Sequence, residues 1–420
     1  MTQPPPSDPT DAAVHPPIAA TYPVASESGI VPISTDHEQV SPPERPAARS
    51  RSIVGWAVGL GVAALVIVGG AFVHVSANLA FDEALLVAED AAVDAEAARD
   101  DMGAVVAAAS AEGEASDAIA AAAGDDLVDP AARAAFVEAA SVSATALQGA
   151  ETALGAPIAQ PVDDKPIWTW ELFDAVPALE STTESLDDLT RALTVADAAI
   201  DAADADLDAA ATALYASVAP AADALEVANV SARNAVVIDF RTASDTVTRQ
   251  TAVDTAAADA FEGYAAQAAA LKTSAAEVLQ AKAGPLYDTR LAVEAYARSI
   301  AGGVLLEFDW APYVNGVGGP YGISGTATWN TADGGFSTIT LSDSVAETWP
   351  GASAKALVTH EVGHSITSKC HEMFDSADQA QNEAWATAWA ISMGHTDDGN
   401  GVQAYGYPPQ ELIDKAATCR

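Results

Sequence analysis

The sequence predicts an α+β chain in four parts: a disordered tail over residues 1–52, a single transmembrane helix over 53–75, an Ala-rich helical stalk over 78–300, and a small domain over 303–420 that combines a β-hairpin with helices. Three observations predict it. Eleven of the 23 prolines lie in the first 52 residues, and a run of 23 residues without Asp, Glu, Lys or Arg follows them. Near residue 303 an Ala, Asp and Glu composition gives way to more Gly, Thr and aromatics, and five of the eight tryptophans stand beyond that point.

The tail has too few large apolar side chains to offset the entropy of ordering it. The run from Ile53 to Val75 would span roughly 35 Å as a helix, enough to cross a bilayer. Three arginines, Arg45, Arg49 and Arg51, precede it, while 15 basic residues are diluted among 53 acidic ones after it. The positive-inside bias therefore predicts a single-pass protein of the cell membrane, with its N-terminus in the cytoplasm and its C-terminal domain extracytoplasmic. A cleavable signal ending near Val75-Ser76-Ala77 is the competing reading, and a 52-residue leader fits it poorly. The formal net charge of -41 excludes a nucleic-acid partner, because phosphate binding requires clustered cations. The Ala, Val, Asp and Gly bias resembles that of a high-GC bacterial genome and points to the bacterial cell envelope.

Residues 78–300 carry breakers near Gly113, Asp129-Pro130, Gly155 to Pro161, Pro220 and Gly284-Pro285, each read as a helix end. Leu186, Leu189, Leu193, Ala196, Ile200, Ala203, Leu207, Ala210 and Leu214 alternate spacings of three and four, the pattern of a coiled-coil seam. Alanine at every second core position lets helices approach closely, so antiparallel helices within the chain are expected, with a homo-oligomer or a partner held by the stalk as the alternative. Trp168 and Trp170 interrupt the Ala-rich pattern and are read as core, with a cap or binding patch as the competing role.

Ile323–Trp329 and Phe336–Leu341 are rich in β-branched and aromatic residues and flank a Gly-containing turn, which predicts a hairpin. A helix is expected to start near Ser353 as its N-cap and to run through AKALVTHEVGHSITSK, with Val358, Val362 and Ile366 toward the core. His360 and His364, four apart, then stack on one face as two ligands to one ion, and Glu361 can reach a water there. A second helical pattern, QNEAWATAWAISM, places Glu383 19 positions after His364, away from the face of Trp385, Trp389 and Met393. Two imidazoles and a carboxylate favour Zn2+ over calcium or magnesium.

These residues resemble the gluzincin, or thermolysin-like, branch of zinc metallopeptidases, over the C-terminal ~120 residues only. The resemblance implies a zincin-like domain in which His360, His364 and Glu383 bind zinc, Glu361 is the general base, and Asn382-Glu383 forms the second motif. The acidic residue often found a few positions after that Glu is absent here, where Ala386-Thr387 stands, so the orientation of a ligand histidine lacks its usual partner. His371 is the rival third ligand, one residue out of register with the HExxHxxGxxH pattern. His395, Tyr405 and Tyr407 are candidates for stabilising the oxyanion. The strand before the metal helix, FSTITL, is expected to pair with an extended peptide along its edge. Cys370 and Cys419 are expected to form a disulfide outside the membrane. The function expected is hydrolysis of a peptide or protein substrate by a membrane-anchored zinc peptidase. The competing function is a non-enzymatic envelope binding protein with a metal-stabilised or inactive terminal domain.

Overall fold

The computed structural model describes residues 54–162 and 164–420, with side chains from residue 67 onward. The tail expected over 1–52 lies outside the described residues. Gly70–Arg420 forms one unit, and the description below concerns it.

Helix α1 (Val54–Ala122) runs through 69 residues without a break. By length and composition it is long and apolar enough to cross a membrane. It continues past Gly113, where the sequence predicts an end: Ala109, Ala115 and Ile119 are all buried there, and their packing outweighs the roughly 1 kcal/mol that a helical glycine costs. Asp129 caps α2 (Pro130–Leu154) by accepting from the N–H groups of Ala131 at 2.8 Å and Ala132 at 2.9 Å, with Pro130 at the first position, where its missing N–H is harmless. Helix α3 (Thr169–Ala228) includes Pro177 and Pro220. Pro220 is therefore not a helix end. Leu214, Val218, Ala222 and Leu225 stay buried on both sides of it, which offsets the lost hydrogen bond.

Phe136, early in α2, shares a core with Ile119, Leu207 and Leu214, whereas Ala150, near its end, lies with Ala91, Ala95, Leu186 and Leu193. Helix α2 thus runs antiparallel to α1 and α3, and the helices fold back within the chain. Along the predicted seam the buried position moves from Ala210 to Ala211, the drift expected when a 3.6-residue helix is read with a 3.5-residue period. Helices α4 (Asn234–Thr248) and α5 (Thr255–Ala281) complete this core, and the Tyr215 and Tyr264 hydroxyls donate to the Ala252 and Leu127 carbonyls at 2.9 and 3.2 Å. Trp168 and Trp170 are not core residues: they are 56% and 61% exposed.

Glu112 on α1 lies near Asp204 and Asp208 of α3, and burial together with those charges pushes its carboxyl up to about 7. A folded-state value above the unfolded one near 4.5 means that Glu112 is harmless at low pH and destabilises the bundle increasingly as pH rises toward 7. Glu112→Gln is expected to leave the thermal midpoint unchanged at pH 4.5 and to raise it at pH 8. The gain should be roughly 1–2 °C by circular dichroism, since solvent screens half-exposed charges.

Helix α6 (Tyr287–Ile300), read from the sequence as the end of the stalk, buries Val293 and Ala297 in a second core with the sheet and the last helices. The sheet has the order β1-β3-β2, from β1 (Leu305–Ala311), β2 (Gly325–Asn330) and β3 (Phe336–Ser342). Strand β3 pairs antiparallel with β2, with Ala327 opposite Ile339, as a hairpin requires, and parallel with β1. FSTITL is therefore the central strand. Both of its edges are occupied and it cannot pair with a peptide. The short α7 (Asp343–Thr348) leads into α8 (Ala352–Ser365), α9 (Thr367–Cys370), α10 (Gln379–Ser392), α11 (Val402–Tyr405) and α12 (Gln410–Ala416). Cys370 and Cys419 are joined by a disulfide that spans α10 to α12. Closing a loop of this length contributes about 4 kcal/mol in the chain-entropy model.

Candidate metal centre

Helix α8 begins after Gly351, two residues before the predicted cap. The Ser353 hydroxyl instead donates to the Asp397 carboxylate. Val358, Val362 and Ile366 are fully buried in the second core, which fixes the rotation of the helix. On α10, Asp378 accepts from the Ala380 N–H at 2.8 Å and caps the helix, and Trp385 and Trp389 are fully buried in the same core. The two helices cross at Gly363 and Ala386, which brings Glu383 over the two histidines.

The structure brings three predicted residues together. His360 Nε2 and His364 Nε2 are 3.2 Å apart, and Glu383 Oε2 is 3.3 Å from the first and 3.1 Å from the second. Donor atoms about 2.0–2.1 Å from a tetrahedral zinc would stand about 3.3–3.4 Å apart, so the observed triangle is close to the edge of such a shell. These are the three residues whose ligand atoms could hold one metal ion among the described residues.

Their outer contacts fix which atoms face inward. The Asn400 carbonyl lies 3.0 Å from His360 Nδ1 and can only accept, so Nδ1 carries the proton and the Nε2 lone pair points into the triangle. His364 Nδ1 faces Asn382 Oδ1 at 3.4 Å. Gln379 Nε2 donates to Glu383 Oε1 at 2.8 Å, which leaves Oε2 for the imidazoles. With both imidazoles neutral, three lone-pair atoms would meet here, and either a shared proton or a metal cation relieves their repulsion. Burial opposes the charge on Glu383, but hydrogen bonds to His360 and His364 hold its carboxyl well below the usual range. Burial lowers His364, and Glu383 and Glu361 more than offset it and raise the imidazole.

Asn400 and Gln379 have no place in the sequence motif. The Asn400 carbonyl, with Thr387 Oγ1 at 3.5 Å, takes the role for His360 that the missing acidic residue leaves open. Gly401 follows at φ +94°, and a Cβ there would lie 2.7 Å from the His360 ring. The loop needs glycine at this position for both backbone and space. Its proximity to the ligand helix comes from folding over 40 residues, and nothing in the local sequence signals it.

Glu361 is 3% exposed, and its Oε2 has no hydrogen-bond partner. Burial raises its carboxyl, His360 and His364 oppose the shift, and Glu383 adds to it. Strand β2 lies directly against it: a Cβ on Gly325 would stand 2.7 Å from Glu361 Oε1. Among the described strands, β2 is the edge strand next to Glu361.

Tyr405 stacks parallel to His360, with centroids 5.9 Å apart and planes within 8°. Burial, and then the charges of Glu383 and Glu361, raise its hydroxyl, so it remains a neutral donor beside the site. The other candidates stand elsewhere. His395 Nε2 is 2.9 Å from the Tyr296 hydroxyl, Tyr407 is exposed with no hydrogen bond to the trio, and His371 stacks near Trp329 at 6.4 Å. No family model, curated protein or solved structure matches the chain.

Proposed function

We propose that the chain is a membrane-anchored, extracytoplasmic zinc peptidase. The observation that supports this reading best is a triangle of three potential ligand atoms at zinc-like spacing, beside a buried carboxylate oxygen with no partner. His360, His364 and Glu383 would hold the zinc. When bound, zinc supplies Lewis-acid chemistry to a peptide carbonyl and to water. Gln379, Asn382 and Asn400 keep the ligand atoms aimed, so little reorganisation accompanies binding. Glu361 Oε2 accepts the proton of the attacking water and returns it to the leaving amine, a role helped by a carboxyl that burial moves toward neutral pH. The Tyr405 hydroxyl is the candidate donor to the developing oxyanion. The open edge of β2, adjacent to Glu361, replaces FSTITL as the place where an extended peptide would add backbone hydrogen bonds.

A structural zinc site usually fills all four positions with protein groups and has no use for a base. Here three ligands stand next to one. The test uses the full chain in detergent: about one zinc per chain, cleavage of a broad peptide mixture, loss of cleavage on chelation and recovery on adding zinc. One zinc bound with no cleavage under any of these conditions would favour the metal-stabilised envelope protein instead.

A further inference from the structure

The turn that leads into α3 carries an exposed aromatic cluster with a defined height along α1. Lys165 Nζ lies 2.6 Å from Asp82 and 3.4 Å from the Asn78 carbonyl, whereas Thr169 Oγ1 is 2.8 Å from His74 Nδ1. The chain from 165 to 169 therefore descends along α1 toward the apolar run. Helix α3 then climbs back parallel to α1, with Leu172 and Leu179 in a buried cluster with Ala77, Phe81 and Ala88. Thr169 is thus level with His74, one residue before the run ends at Val75, and Ile167 and Trp168 precede it in the turn.

At that level Trp168 and Trp170 stack with centroids 5.1 Å apart and planes within 10°. Both are exposed, as are Ile167 and Phe173 beside them and Phe72 and Val75 on α1. Exposed apolar side chains gathered at one level of a helical bundle mark a contact site. An indole has an apolar ring and one N–H donor, and its favoured place is the headgroup level of a bilayer. Charge does not draw this turn to anionic lipid: Lys165 is paired with Asp82, and Glu171 and Asp174 are exposed acids.

We infer that the Ile167–Phe173 turn is a second membrane contact, with Trp168 and Trp170 inserted at the headgroup level of a bilayer beside the end of the span. This rests on the reading of residues 53–75 as that span. The contact braces the base of the bundle at two points, which restricts tilting about α1.

The experiment places the full chain in phosphatidylcholine vesicles and uses separate readouts for the span and the turn. Flotation with the vesicles reports the span. Tryptophan quenching by phosphatidylcholine labelled at a shallow or a deep acyl position, compared between wild type and W168F/W170F, reports the turn. Both side chains are exposed, so the variant keeps its fold, and matching far-UV circular dichroism checks this. The expected result is equal flotation, with a component in wild type quenched at least twofold more by the shallow label and missing from the variant. Equal lipid quenching of the two proteins, both floating, overturns the inference and leaves the span intact. The same holds if the missing component is quenched by aqueous iodide only, or by neither because a second copy covers it. Failure of the wild type to float overturns the span and the inference together.

Discussion

Glu361→Gln is expected to keep its zinc and to lose peptide cleavage by about 10²–10⁴-fold, with the loss in kcat rather than KM. The two side chains have the same shape, and Gly325 leaves room for one as for the other. What changes is the Oε2 atom, which has no partner in the folded protein and is free to accept a proton, whereas a carboxamide cannot take one at neutral pH. His360, His364 and Glu383 are untouched, so metal content measured on the same sample should stay at the wild-type value. Zinc retained with full activity would remove Glu361 from the chemistry; zinc lost would make it a structural partner of the ligands.

The second large effect concerns folding. Glu294 is fully buried, with Lys282 Nζ 2.7 Å from one carboxylate oxygen, Arg298 at 3.3 Å, and the Trp310 indole N–H donating at 2.9 Å. Burial lowers the Lys282 ammonium below its ordinary value, and Glu294 opposes that shift. Glu294→Ala leaves a buried cation with no anion and is expected to cost about 3–5 kcal/mol, read as a lower denaturation midpoint in urea. Glu294→Gln keeps an acceptor for Trp310 but not the charge, and should fall between wild type and alanine. A change below 1 kcal/mol in the alanine variant would show that Lys282 sheds its proton or reaches water at little cost.

Much of this site was legible in the sequence because its decisive contacts are local or periodic. His360 and His364 sit one helical turn apart, Glu383 lies on the face opposite two core tryptophans, and the hairpin is bounded by its own turn. The rest depends on long-range contacts that no window of residues contains. Asn400 reaches His360 through a loop, and Gln379 steers Glu383 only once the helices have crossed. Strand β1 carries a readable signal, the alternation of buried Leu306 and Phe308 with Glu307 and Asp309, and it is this strand that turns FSTITL from an edge into the centre of the sheet. Gly113 and Pro220 mislead because local propensity costs a few kcal/mol at most, and continuous burial along α1 and α3 exceeds that.

The unbroken course of α1 has a mechanical consequence. From residue 76 to Ala122 the helix rises about 70 Å without a break. It is a measuring rod within the bundle: whatever packs against its Ala122 end is kept at a fixed remove from the Trp168 turn beside its lower end.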